Sequence, residues 1–266
     1  MTLTKSIWSA VALAACCLAQ RAWAELSPEV ADLAGRIDYG YYVADPRAVE
    51  NALPGLERMD EEDLSVRYYR AFAAFRLAQL GVQEGESGAR FANECVAQAT
   101  IKESKDWVPR AQAEARAKAS VESWILLSAC SGFAAQRKPA AGLVLDRRGE
   151  EALERARSID SGNPRIALLD AWRVSLRPAR AEPDVRAEAA AKLELAIEAF
   201  AAWSPAADSP SWGEAEALAA LAEVRLAEGE VRASRDLIER ALLLAPDYHF
   251  AVELRSQLKT ARAEAR

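Results

Sequence analysis

Small side chains recur beside large ones at fixed offsets in two stretches of this chain, and that pattern restricts the fold to helices packed in pairs. In the first stretch Trp124, Leu127 and Ser128 open one helix, and Gly149, Leu153 and Ala156 mark the next, which ends at Ile159-Asp160. In the second, Leu218, Leu221 and Ala222 are followed by Gly229, Ser234, Ile238, Ala241 and Pro246. A small residue facing a large one lets two antiparallel helices close on each other. Hydrophobic residues make up 51 % of the chain, largely because alanine is so common, and alternating β-branched runs are nearly absent. Alanine has the best helix propensity, so the pattern predicts an all-α protein.

Start and stop signals divide the chain. Ser27 reads as an N-cap and Pro28 as the first position of a helix running to about Val43. Asp45-Pro46 repeats the signal for a short helix broken at Pro54-Gly55. Asp60-Glu61-Glu62-Asp63 puts acid at the positive end of the next helix, which continues to Leu80-Gly81. A turn at Gly85 to Gly88 precedes a partner helix carrying Ala92, Val96 and Ala99. Further pairs are predicted over 111–135 with 143–159, 164–176 with 185–203, and 212–244, followed by a helix over 248–262. Tyr68, Tyr69, Phe72 and Phe75 form a stripe at helical spacing and read as core.

Residues 1–24 read as a targeting segment. Lys5 is a positive n-region, Ile7 to Ala19 is an apolar run of thirteen residues, and Ala22-Trp23-Ala24 fits an A-x-A cleavage site. Leu13-Ala14-Ala15-Cys16 also resembles a bacterial lipobox, whose cysteine is acylated. Both readings predict export, to the periplasm in the first case and to the outer membrane as a lipoprotein in the second. Without residues 1–24 the chain has 32 basic against 40 acidic residues, a net charge of −8. An acidic chain does not suit nucleic acid or anionic membrane surfaces. Cys95 and Cys130 remain after export, and an oxidising compartment permits a disulfide between them. It would close a loop of about 36 residues and add about 3–4 kcal/mol on the chain-entropy model.

From residue 61 to 246 these features resemble the tetratricopeptide repeat. Three further features are similar to exported bacterial proteins of that type: Tyr39-Gly40-Tyr41, Asn163-Pro164-Arg165 and Pro210-Ser211-Trp212-Gly213. The resemblance implies a right-handed α-solenoid of antiparallel helix pairs. An N-terminal helical cap over 25–60 and a capping helix over 247–266 would close its ends. The repeat is irregular. Ala156, Ala196 and Ala241 lie 40 and 45 residues apart instead of the usual 34. In the repeat family first-helix positions 2, 5, 9 and 12 line a peptide groove. Counting Pro164 as position 1 places Arg165, Leu168, Trp172 and Ser175 there, and counting back from Pro246 adds Glu216, Ala219, Glu223 and Leu226.

Signs of catalysis are sparse. His249 is the single histidine, no cysteine pair has zinc spacing, and neither G-x-S-x-G nor a Gly-rich phosphate loop occurs. The sequence therefore suggests a non-enzymatic scaffold in the cell envelope, binding a protein or peptide without metal or cofactor. One alternative is a small-molecule carrier with a pocket near Trp172, Trp203 and Trp212. A lesser one is an envelope hydrolase using His249 and acids of a cleft.

Overall fold

The computed structural model describes residues 26–60, 63–81, 86–99, 110–137, 139–175, 182–205 and 209–264. These residues form twelve helices and no strand. They are α1 (Pro28–Tyr42), α2 (Pro46–Glu50), α3 (Leu53–Glu57), α4 (Leu64–Leu80), α5 (Glu86–Gln98), α6 (Arg110–Arg137), α7 (Pro139–Ile159), α8 (Pro164–Ser175), α9 (Pro183–Ala202), α10 (Glu214–Ala227), α11 (Val231–Leu244) and α12 (His249–Glu264). The segment 1–24 with Cys16, and the turn at Trp107-Val108-Pro109, lie outside the described residues.

Local chemistry sets the helix starts. Ser27 Oγ accepts a hydrogen bond from the Val30 amide, and Asp45 accepts from the Arg47 amide, each followed by proline at the first helical position. Asp63 caps α4 by accepting from the amides of Ser65 and Val66. Two boundaries differ from the sequence reading. Helix α5 begins at Glu86, inside the stretch read as a turn, because a first turn needs no upstream hydrogen-bond partner and favours an acid. Helix α7 begins at Pro139 rather than Leu143, since proline suits the first helical position.

Consecutive helices pack as the pairs α4/α5, α6/α7, α8/α9 and α10/α11. The small residues sit where the pairs touch. A Cβ on Gly149 would lie 3.3 Å from the Ser128 carbonyl oxygen and 3.3 Å from Ser131 Cβ. Ser234 Oγ donates to the Ala222 carbonyl at 2.8 Å, joining α11 to α10. First helices also touch one another, α4 against α6 and α6 against α8, while α12 packs on α10 and α11. The stripe Tyr68, Tyr69, Phe72 and Phe75 is buried, as its spacing suggested. No helix among the described residues is long and apolar enough to cross a membrane.

Cys95 of α5 and Cys130 of α6 are fully buried and joined as a disulfide, with Cα atoms 5.5 Å apart. Replacing both cysteines with alanine should lower unfolding free energy by about 3–4 kcal/mol. Urea denaturation of the oxidised protein and the double variant measures this. Equal midpoints would show that the cross-link adds nothing.

Candidate functional site

Two buried arginines organise the interior. Arg165, on α8, is 1 % exposed, and its Nε donates to the Trp212 carbonyl at 2.9 Å. Its Nη1 donates to Glu122 Oε1 at 3.2 Å, and its Nη2 donates to the Pro210 carbonyl. Asn163 completes the cluster by donating from Nδ2 to Glu122 Oε1 at 2.7 Å and accepting from the Arg165 amide. Arg76, on α4, is fully buried. Its Nη2 donates to Glu216 Oε1 at 2.6 Å and its Nη1 donates to Gln79 Oε1 at 2.9 Å. Asp38 Oδ1 lies 3.8 Å from Arg76 Nη2, and the guanidinium sits 3.7 Å from the Tyr41 ring centroid. Burial would lower the Arg76 pKa, but the Glu216 carboxylate, with Asp38, holds it above its usual value.

The three short motifs singled out in the sequence meet at these arginines. Residues 210–213 run without helix between α9 and α10 and are held as a peptide would be. Arg165 grips two of their carbonyls, Ser211 Oγ donates to Asp38 Oδ2 at 2.7 Å, and Trp212 Nε1 donates to Tyr68 Oη at 2.8 Å. The Gly213 amide donates to Glu216 Oε2 at 2.8 Å. Gly213 has φ +120°, and a Cβ there would meet Phe200 Cζ at 2.5 Å, so only glycine fits this turn. Gly40 of the Tyr39-Gly40-Tyr41 motif lets α1 meet α2, since its Cβ would lie 2.9 Å from the Val49 amide nitrogen.

This arrangement divides the eight groove positions. Arg165, Leu168, Glu216 and Ala219 are buried. The reason is tertiary: the chain's own residues 210–213 pack onto the α8 face. Arg165 binds their carbonyls, and Trp172 stacks on Trp212 with ring centroids 6.2 Å apart. Ser175 Oγ donates to the Ala171 carbonyl within its own helix, and Glu223 is exposed on α10.

A cavity of about 690 Å³ opens beside this packed segment. Trp172 and Glu216 line it, and the other six groove positions do not. Its floor includes Leu77 of α4, Phe133 of α6, Trp172 of α8 and Ala220 of α10. Tyr41, Gln79, Glu216 and Tyr248 add polar groups, while Glu50, Arg90, His249 and Glu253 stand exposed around it. The Tyr41 and Tyr248 hydroxyls lie 3.4 Å apart, and Tyr42 Oη donates to Glu216 Oε2 at 3.3 Å. Burial raises the pKa of all three phenols, so they stay neutral. His249 Nδ1 is 3.7 Å from Glu253 Oε2 at the rim. Of the three tryptophans suggested for a closed pocket, Trp172 lines this open cavity. Trp212 is fully buried, and Trp203 lies beside Arg165 with its ring centroid 4.9 Å from the guanidinium carbon. Among the described residues no group of three or more His, Cys, Asp or Glu is placed to hold a metal.

Sequence reasoning missed Asp38, Arg76, Glu122 and Phe133. Arg76 did leave a signal: it is a charge one turn after Phe72 on an otherwise apolar stripe. A charge so placed is either exposed or paired in the core. Burial pushes the Asp38 carboxyl above the usual range, against the opposing pull of Arg76 and the Ser211 hydrogen bond. Such a group binds its proton more tightly when folded. Its contribution to stability is complete below the unfolded value near pH 4 and is lost as pH rises through the folded value. Asp38→Asn should therefore gain stability relative to the parent chain as pH rises above about 4. Urea midpoints of both proteins between pH 4 and 8 test this, and a constant difference would refute it.

No protein-family model matches the chain, and no curated protein matches it.

Proposed function

We propose that this chain is a non-enzymatic interaction module: a right-handed α-solenoid of the tetratricopeptide-repeat type whose concave hollow holds a protein or peptide segment of the cell envelope. The observation that carries the reading is that first helices of all four pairs contribute to one cavity, through Leu77, Phe133, Trp172 and Ala220. Stacked hairpins that curve bring their first helices together in this way and present a concave binding surface. The acidic balance of the chain argues against nucleic acid as the partner. Its N-terminal pattern supports a location outside the cytoplasm, periplasmic after cleavage at Ala24 or lipid-anchored through Cys16.

Trp172→Ala removes the largest side chain from the cavity floor. Photo-crosslinking in intact cells should show partner adducts reduced at least about tenfold, as for a buried aromatic anchor. Far-ultraviolet circular dichroism should stay helical. Undiminished adducts in a folded variant would sink the reading.

A cavity of about 690 Å³ also falls within the size range of small-molecule sites. This favours a carrier as the second reading. Native mass spectrometry of gently purified protein would then show a bound metabolite, and ligand-free protein alone would count against it.

A further inference from the structure

The geometry points to an aromatic side chain as the anchor of the partner: an extended peptide that seats one ring on the cavity face of Trp172. This inference rests on the binding-module reading and names the chemistry the hollow selects. A run of rings crosses the core and ends at the cavity. Phe72 and Trp212 have centroids 6.0 Å apart, and Trp212 and Trp172 follow at 6.2 Å with planes 25° apart. Phe75 supports the run from the side, 6.4 Å from Trp172 and 5.5 Å from Phe133. Trp172 and Phe133 are both half-buried, and both face the open volume. Ring pairs are favourable at centroid distances of about 4.5–7 Å, so one more ring beside Trp172 continues the stack.

The chain itself supplies the precedent for how such a segment binds. Residues 210–213 are non-helical, anchor through one tryptophan, and have two carbonyls held by Arg165. They occupy one side of Trp172, and the cavity occupies another. The inner flanking groups suit a peptide backbone, while Glu50, His249 and Glu253 stand exposed at the edge. The Glu216 carboxylate is already committed to Arg76, Tyr42 and the Gly213 amide. Arg90 lies over Phe91, with its guanidinium carbon 4.5 Å from the ring centroid. The Gln79 amide and the Tyr41 and Tyr248 hydroxyls line the same space, and groups of these types can bond to backbone amides and carbonyls.

The test is selection of a random heptapeptide phage library on the folded, oxidised protein, followed by calorimetry with the enriched peptides. Recovered sequences should share Trp, Tyr or Phe at one position, and alanine at that position should weaken binding at least about tenfold. Trp172→Leu should weaken it similarly. Because that change also touches the core, Ala220→Trp provides a second variant, which fills the hollow without removing a packed group. It should abolish binding while leaving the urea midpoint unchanged. Enrichment without an aromatic position, equal binding by both variants, or no enrichment would overturn the aromatic anchor. If cellular crosslinking still depended on Trp172 in that event, the binding-module reading would survive. If crosslinking were also indifferent to Trp172, both would fall.

Discussion

Arg165→Ala is expected to destabilise the protein by about 3–5 kcal/mol, the cost of breaking one partner out of a buried ion pair. The deleted guanidinium serves three acceptors at once: Glu122 Oε1 and the carbonyls of Pro210 and Trp212. Its loss leaves Glu122, which is 4 % exposed, as a buried carboxylate to which, among the described residues, Asn163 alone still donates. It also strips two of the hydrogen bonds that hold residues 210–213, those to the Pro210 and Trp212 carbonyls. Total stabilities of single domains run to about 5–15 kcal/mol, so the variant should sit close to unfolding at 37 °C. Adding Glu122→Ala to Arg165→Ala should recover part of the loss, because the orphaned charge goes with it. Urea denaturation of the single and double variants measures both effects. A loss below about 1 kcal/mol for the single variant would mean the arginine is solvated and the network absent.

Trp212→Ala should cost a similar amount, about 3–5 kcal/mol, through a different term. The indole is fully buried and has Phe72, Phe75 and Trp172 as ring neighbours. Alanine leaves a void among rigid rings that cannot collapse to fill it. The Tyr68 hydroxyl also loses the hydrogen bond donated by Trp212 Nε1. Trp212→Phe separates the two contributions. It keeps most of the apolar volume and loses the donor, so it should cost about 1–3 kcal/mol. Thermal melts followed at 222 nm resolve the series. A phenylalanine variant as unstable as the alanine variant would show that the hydrogen bond, not the packing, holds this segment.

The helices were legible because their signals are local. Ser27-Pro28 and Asp45-Pro46 fix starts within a turn, and the spacing of Ser128 and Gly149, or Ala222 and Ser234, marks where neighbouring helices touch. The pairing of Cys95 with Cys130 was legible for a related reason, since neighbouring antiparallel helices bring such residues together. The candidate site was legible only in part. Trp172 and Glu216 were placed at the hollow, but Tyr41, Phe133 and Tyr248 were not, because they reach it from helices whose relative positions no periodicity encodes.

By itself, then, the order of residues determined that the chain is helical, where most helices begin and end, and which faces carry small side chains for close approach. These follow from capping, propensity and offsets of a few residues. The tertiary structure alone decided that Arg165 and Glu216 are interior, because that depends on contacts far apart in the chain. Arg76 meets Glu216 across 140 residues, and Ser211 meets Asp38 across 173. A charge is stable in the core only where a distant partner is delivered to it, and that delivery is a property of the assembled helices.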